Sequence, residues 1–525
     1  MYDIVIRNGK IFDGSGNPWT NLDIAIKNEK IVGIGKFKNI NATKVIDATG
    51  LAVAPGFIDT HVHSDLLCTK PDIHKVKILQ GITTEVFGQD GISVAPVSNE
   101  TKPLWQKQLV GLNGDIGDWE WNEISEYLNF LDKHPLLGNA TYLVPHGAVR
   151  TLVMGFDGRE STKEEMIQMR KLVEEGMRQG AFGLSSGLIY PPNLYSNKEE
   201  IIEICKGAAK YDGCFVVHIR NESFYILEAL DEMIDVARQT GVRLHISHFK
   251  VMGNVNRHKY EASLNKMKDA RKEGIEITFD QYPYTAGSTV LQAVLPPWVH
   301  IGGPEKMLQR LSNPEIREKI KYDIKNNKDY ENQPLSCGWG NIVISSVKTK
   351  ENKKLEGKNI IEISEIWNET PEDTAMDILL QEKGDVTMIL HWGNEKDIIE
   401  PMKSNLHMVG SDGIFGGKPH PRLSGSFPKI LGRYVRQLKA ISLSKAIQSM
   451  TGNPAQLLRL QDRGFLRENY FADIVIFDPN KVEDKSTFEN PLNEPVGINY
   501  VILNGLLIVE DGRIVNSGNG KVLRY

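Results

Sequence analysis

LDEMIDVARQTGVRLHISHFK, residues 230–250, decides how the middle of the chain folds. It reads as an amphipathic helix that stops at Thr240-Gly241, followed at once by an apolar strand. Similar helix-and-strand alternation fills residues 53–465, about 400 residues, and repeated αβ units favour a parallel sheet. The simplest closed form is a (β/α)8 barrel with insertions, and a doubly wound open sheet is the alternative. Both ends of the chain have a different texture. Residues 1–52 ("DIVIRNGKIFDG", "LDIAIKNEKIVGIG") and 466–525 ("FADIVIFDP", "INYVILNGLLIVEDGRIV") alternate short apolar strands with Gly, Asn and Asp turns. They predict one small β-rich domain assembled from the two termini.

Composition narrows the function. A net charge of −5 supplies no basic field for nucleic acid, and the most basic stretch, 348–358, reads as a solvated face. No apolar run approaches the ~20 residues a membrane helix needs, and the amino terminus lacks a secretory apolar core. Four cysteines, Cys68, Cys205, Cys214 and Cys337, show no CxxC spacing, which argues against a disulfide framework and a thiolate zinc site. The expectation is a soluble, cytoplasmic protein with a small-molecule partner.

The chemistry sits where apolar runs end. His61 and His63 follow one such run in "PGFIDTHVHSD", and residues two apart on a strand share a face. His218 closes "CFVVH", His248 closes "LHISH" and Asp412 follows "HMVGS". In a (β/α)8 barrel the carboxyl ends of all strands meet at one face, so these distant residues converge. Imidazole nitrogens and carboxylate oxygens are zinc ligands, and a catalytic site leaves one position open to water. His245, three residues before His248, points away on a strand and reads as structural. Gly88-Gln89-Asp90-Gly91 forms a tight turn at another strand end, and Asp90 is either a turn former or a side chain aimed inward.

The segments "PGFIDTHVHSD", "QGITTEVFG", "GAFGLSSGLIYPP", "HIRNE", "ISHFK", "YPYTAGSTVL", "SDG", "PHPRLSGSFPKILGRYVR" and "SMTGNPAQLLRLQDRGFL" run in order along essentially the whole chain. They resemble the N-acyl-D-amino-acid deacylases of the amidohydrolase superfamily. The resemblance implies a distorted metal-dependent (β/α)8 TIM barrel with a small β-sandwich built from both termini. It also implies Zn2+, one ion or two. Most of that family has Asn-Cys-Gly where this chain has Gln89-Asp90-Gly91, so Asp90 falls on a metal-ligand position. A carboxylate is harder than a thiolate, which opens the site to other divalent metals. The alternative is an Asp-Gly turn with the metal held by His61, His63, His218 and His248 alone.

By the same resemblance, Asp412 is the general base that accepts the water proton and returns it to the leaving nitrogen. Lys250, Tyr282 and Ser288 correspond to residues holding the substrate α-carboxylate, and Tyr190 to a tyrosine near the scissile carbonyl. Lys250 lies two residues past His248, so both face the barrel mouth if the strand continues. Arg220 shares the strand face of His218 and is either substrate-binding or a structural partner. Tyr284 and His146 are further pocket candidates, and His391 and Arg422 are possible side-chain selectors. D preference rests on the resemblance alone.

Three other readings fit parts of the sequence. "GLSSG" (183–187) fits a serine-nucleophile pattern, but Pro191 and Pro192 follow where a helix must start. A cyclic-amide hydrolase similar to dihydroorotase or hydantoinase usually uses a bridging lysine, and its absence from the strand segment "GAFGLSSGLIY" disfavours that reading. A non-catalytic homologue is disfavoured because His61, His63, His218, His248 and Asp412 are all present.

Overall fold

The structure is a computed structural model that describes residues 1–38 and 41–525. The opening stretch folds as its pattern predicts. Ile226–Thr240 is a helix whose buried face carries Ile226, Ala229, Leu230, Met233, Ile234, Val236 and Ala237, three and four apart. Gly241 ends it in the left-handed region at φ 71°, which glycine adopts without a Cβ penalty. Arg243–Ile246 follows as a strand buried on both faces, as parallel sheets require.

Nine such segments make two all-parallel ladders. Phe57–Asp59, Ile82–Phe87 and Asn139–Tyr142 form one. Val144–Pro145, Gly183–Gly187, Cys214–His218, Arg243–Ile246, Ile277–Gln281 and His407–Val409 form the other. A parallel bridge between Val62 and Gly413 joins the two sides. Because all strands run the same way, their carboxyl ends lie at one end of the fold.

Two further sheets occupy the termini. Tyr2–Arg7, Asp23–Lys27, Lys30–Gly35 and Ala42–Asp47 make one; the other joins Lys10–Ile11 and Ala52–Pro55 to Ile474–Phe477, Ile498–Leu503, Leu506–Glu510 and Arg513–Ile514. One isoleucine-rich cluster, including Ile6, Ile24, Ile26, Ile474 and Ile502, is buried between their strands. Ala52–Pro55 pairs with Ile474–Phe477, so the terminal sheet runs three residues beyond the expected boundary at 52. The sequence also hid an antiparallel sheet of Ala286–Val290, Val386–His391 and Ile342–Val347, inserted before the last parallel strand. Among the described residues no helix is long and apolar enough to cross a membrane.

A buried charge cluster braces the strand ends. Lys77 Nζ lies 3.0 Å from Asp59 Oδ2 and 3.7 Å from Glu85 Oε1, and donates to Ser411 Oγ at 2.7 Å. His74 Nε2 stands 2.6 Å from Glu85 Oε2. Asp59 Oδ1 accepts from the Ser411 backbone N–H at 2.7 Å, which ties the segment before His61 to the segment before Asp412. Removing one partner of a buried ion pair strands the other charge. Lys77→Met should therefore lose roughly 3–5 kcal/mol of stability in denaturant unfolding. A loss below about 1 kcal/mol would show that the cluster holds nothing together.

Candidate metal centre and substrate chamber

Asp90 points inward. Its backbone sits in the left-handed region at φ 56°, between Gly88 and Gly91, which are left-handed too at φ 80° and 65°. Aspartate tolerates this conformation better than most residues. A Cβ on Gly88 would meet the Leu143 carbonyl oxygen at 2.3 Å, so the turn needs glycine there. Ser185, the centre of the "GLSSG" pattern, braces the turn: its hydroxyl accepts from Gly91 N–H at 3.0 Å and donates to the Gly88 carbonyl. Turn structure rather than a helix follows Gly187, so Ser185 is no nucleophile elbow.

The Asp90 carboxylate stands between two histidine pairs. Oδ2 is 3.5 Å from His61 Nε2 and 3.6 Å from His63 Nε2; Oδ1 is 3.9 Å from His248 Nε2. His218 Nδ1 lies 3.0 Å from His248 Nε2. Asp412 closes the other side, with Oδ1 3.3 Å from His63 Nε2 and 3.8 Å from His61 Nε2. The structure thus brings all six predicted residues together, though not on continuous strands. The first strand stops at Asp59, and the Val62–Gly413 bridge keeps His61 and His63 on one side. The strand before His248 likewise stops at Ile246, and His248 turns inward at φ 37°. The expected strand continuation to Lys250 is absent, and the turn delivers Lys250 instead.

The donor set fits a divalent cation. Overlapping triads, His61-His63-Asp90, Asp90-His218-His248 and His61-His248-Asp412, each offer ligand atoms within 4.8 Å of one another. Both ring nitrogens of His61, Oδ1 of Asp90 and Nε2 of His218 are buried without a hydrogen-bond partner. Unsatisfied buried polar atoms cost about 1–3 kcal/mol each, so the cluster is built to be completed. Burial disfavours charge on His61, yet Asp90 and Asp412 outweigh it and raise the imidazole to about 9. Burial also opposes ionisation of Asp90, but His61, His248 and His63 hold it well below the usual carboxylate range. Anions that draw a proton onto an imidazole this strongly also favour a cation. Burial, joined by the charges of His248 and Lys250, outweighs Glu222 and Asp90 and pushes His218 down to about 3, leaving a neutral ring suited to ligation.

Asp280 supports the centre from behind. It takes His245 Nε2 at 3.0 Å and the Thr60 hydroxyl at 2.7 Å, and it accepts from the His248 backbone N–H. His245 is therefore a buttress, in keeping with its structural reading.

Lys250, Tyr190, Tyr282 and Ser288 line one chamber with Asp90, His63, His218, His248 and Asp412. Lys250 Nζ is 2.6 Å from Glu222 Oε2 and 3.0 Å from His248 Nδ1. Arg422 Nη1 pairs with Asp412 Oδ2 at 2.8 Å, its Nη2 donates to the Ser288 carbonyl at 2.9 Å, and its guanidinium lies 4.6 Å over the Tyr282 ring. Tyr190 bonds Thr289 Oγ1 at 2.9 Å, with its ring 5.4 Å from His218. Burial opposes ionisation of Asp412, but Arg422 and His61 outweigh it and hold the carboxyl well below its ordinary range.

Other candidates lie elsewhere. Arg220 does not share the His218 face, because the strand ends at His218. Its guanidinium binds Glu232 and the carbonyls of Leu194 and Ser196, and it borders an outer cavity. His146 is buried against Glu200 and Ser186, so it is a core residue. Tyr284 donates to the Pro421 carbonyl behind the chamber, and His391 packs on Phe488. Neither lines the chamber. Two functional candidates escaped the sequence reading. Glu222, four residues after His218, pairs with Lys250 and is held down to about 2 despite burial, by Lys250 and His218. Glu331, from the inserted segment, is raised to about 8 by burial and by Glu222.

Comparisons with known proteins agree over the full length. Residues 44–299 and 377–509 match the model of the Amidohydrolase family. A D-aminoacylase of Alcaligenes xylosoxydans xylosoxydans is 32% identical over 523 residues, covering 99% of this chain and 97% of its own. An N-acyl-D-aspartate deacylase of the same organism is 32% identical over 525 residues, covering 99% and 95%. The crystal structure of an N-acyl-D-glutamate deacylase from Bordetella bronchiseptica holds zinc and a phosphonate mimic of the tetrahedral intermediate. It matches this fold with a TM-score of 0.83 at 29% identity over 100% of both chains.

Proposed function

Because this chain belongs to the amidohydrolase family, on its N-acyl-D-amino-acid deacylase branch, we propose that it uses a divalent metal to hydrolyse N-acyl-D-amino acids to a D-amino acid and a carboxylate. The observation that carries this to particular residues is the Asp90 carboxylate between two histidine pairs, with Asp412 opposite and a lysine, a tyrosine and a serine lining the same chamber.

His61, His63, Asp90, His218 and His248 would hold the metal, with zinc the first choice by chemistry. A divalent ion there supplies Lewis acidity to water and to the amide carbonyl. Asp412 does the proton work. Arg422 keeps it ionised, so the carboxylate is ready to accept the water's proton. A carboxylate that holds a proton weakly then returns it readily to the leaving nitrogen, which departs as an amine. Lys250, Tyr282 and Ser288 fix the α-carboxylate, and Tyr190 stands beside the carbonyl. Lys250 already neutralises Glu222, so substrate shares that ammonium rather than meeting a free one.

The Val62–Gly413 bridge supports closure of the parallel ladders into a distorted (β/α)8 barrel, and the shared isoleucine cluster supports a terminal β-sandwich. The barrel then spans roughly 56–465, with the sandwich drawn from the segments before and after it.

Amino-acid release from paired N-acetyl-D and N-acetyl-L amino acids, with zinc supplied, tests the activity. Release is expected from the D series only. Equal release from both would remove the stereochemical claim, and ring-opening of hydantoins without any release would favour the cyclic-amide reading.

A further inference from the structure

Next to the chamber lies a second, larger cavity of about 320 Å³, against about 30 Å³ of free space in the chamber itself. The two share Ile92, Leu112, Tyr190 and Glu331 as a common wall. Beyond that wall the outer cavity is more apolar than polar, with Leu188, Leu194, Val290 and Ala293 on its lining beside Arg220 and Asp329. Its size falls at the lower end of pockets that hold small organic ligands, about 300–1,000 Å³.

We propose that this outer cavity receives the acyl chain of the substrate, so that the enzyme takes N-acyl-D-amino acids with extended apolar acyl groups rather than acetyl alone. The inference rests on the deacylase reading and on its carboxylate-binding set. The geometry selects the acyl end. Lys250, Tyr282, Ser288 and Arg422 line the inner chamber and none of them borders the outer cavity. An α-carboxylate held there fixes Cα beside it, and the amino-acid side chain branches at that point, toward Met252, Leu390 and Trp392. The amide nitrogen and the carbonyl carbon lie further along, and the acyl chain is the end most distant from the carboxylate. Tyr190, proposed to flank the carbonyl, is also a wall of the outer cavity. A chain leaving the carbonyl past Tyr190 enters a largely apolar space. The buried carboxylate on the shared wall, Glu331, is already engaged by the Glu222 backbone N–H at 2.7 Å.

Three substrates separate the possibilities with the full-length, zinc-supplied protein: N-acetyl-D-alanine, N-pentanoyl-D-alanine and N-acetyl-D-norleucine. The last two add the same three methylenes at opposite ends of the amide. Burying each methylene is worth roughly a fourfold gain, so kcat/KM should rise by up to about 60-fold for the pentanoyl substrate if all three are fully buried. The norleucine substrate should gain much less. Ala293→Phe, which fills the outer cavity, should bring the pentanoyl-to-acetyl ratio toward unity while leaving acetyl turnover in place. Pentanoate should also inhibit the unsubstituted enzyme more strongly than acetate, a readout independent of any variant's folding. A gain that follows norleucine instead, or no gain from either extension, would overturn the proposal and leave the deacylase reading standing. No release from any N-acetyl-D substrate in the paired assay would take down both.

Discussion

Asp412→Asn should retain its metal and lose most of its turnover, on the order of 10²- to 10⁴-fold in kcat, the range spanned by general acid–base catalysis. The substitution is nearly isosteric. An amide oxygen still accepts from Arg422, whose guanidinium reaches Asp412 Oδ2 at 2.8 Å, so the side chain keeps its place. What disappears is the capacity to take a proton and return it. Kinetics on the best N-acetyl-D substrate, with elemental analysis of the same preparation, separates the two effects. Near-wild-type kcat with full metal would remove Asp412 from the proton transfers. Lost metal would recast it as chiefly a ligand, a reading its 3.3 Å approach to His63 Nε2 keeps in play.

Asp90→Ala should cost both metal and activity. The carboxylate stands between both histidine pairs, with one oxygen toward each. Loss of an outer partner of a ligand alone weakens a metal site by roughly 10–100-fold, so loss of a shared anionic ligand should exceed that. Equilibrium dialysis against zinc measures it directly. Metal bound at wild-type affinity in Asp90→Ala would return Asp90 to the role of a turn former. Asp90→Cys is the informative companion: it should keep zinc while shifting preference away from harder ions such as manganese, because thiolate is the softer ligand. An unchanged metal ranking in that variant would show that the ligand at this position does not set selectivity.

Much of this arrangement is legible in the chain. Residues at the ends of apolar runs can be placed on one face once the strands are read as parallel, and that step joined His61, His218, His248 and Asp412 across some 350 residues. The Asp90 turn was legible because glycine on both sides signals left-handed backbone. Other features left no local trace. Glu222 and Lys250 meet only because two turns, each after a strand end, fold over the same chamber. The Ile342–Val347 strand pairs with Val386–His391 across helices and loops, so neither shows a hairpin signal. Glu331 belongs to that inserted region, which lies outside the stretches matched to the family. Arg220 departs from the period-two rule because its strand ends at His218. The rule lapses where the ladder hydrogen bonds stop.

Asp412, at φ 50°, shares the left-handed backbone of Asp90 and His248, at φ 56° and 37°. A residue with a Cβ is held there at a cost of order 1–3 kcal/mol, which glycine would largely avoid. Heat tolerance and catalysis therefore pull the codons of Asp90 and His248 in opposite directions, whereas at Asp412 the buried Arg422 charge would be stranded by glycine. A library of this gene screened only for survival on warming would be drawn toward glycine at positions 90 and 248, and such members would be empty shells. Aspartate at 90 and histidine at 248 thus trade ease of backbone for side-chain chemistry.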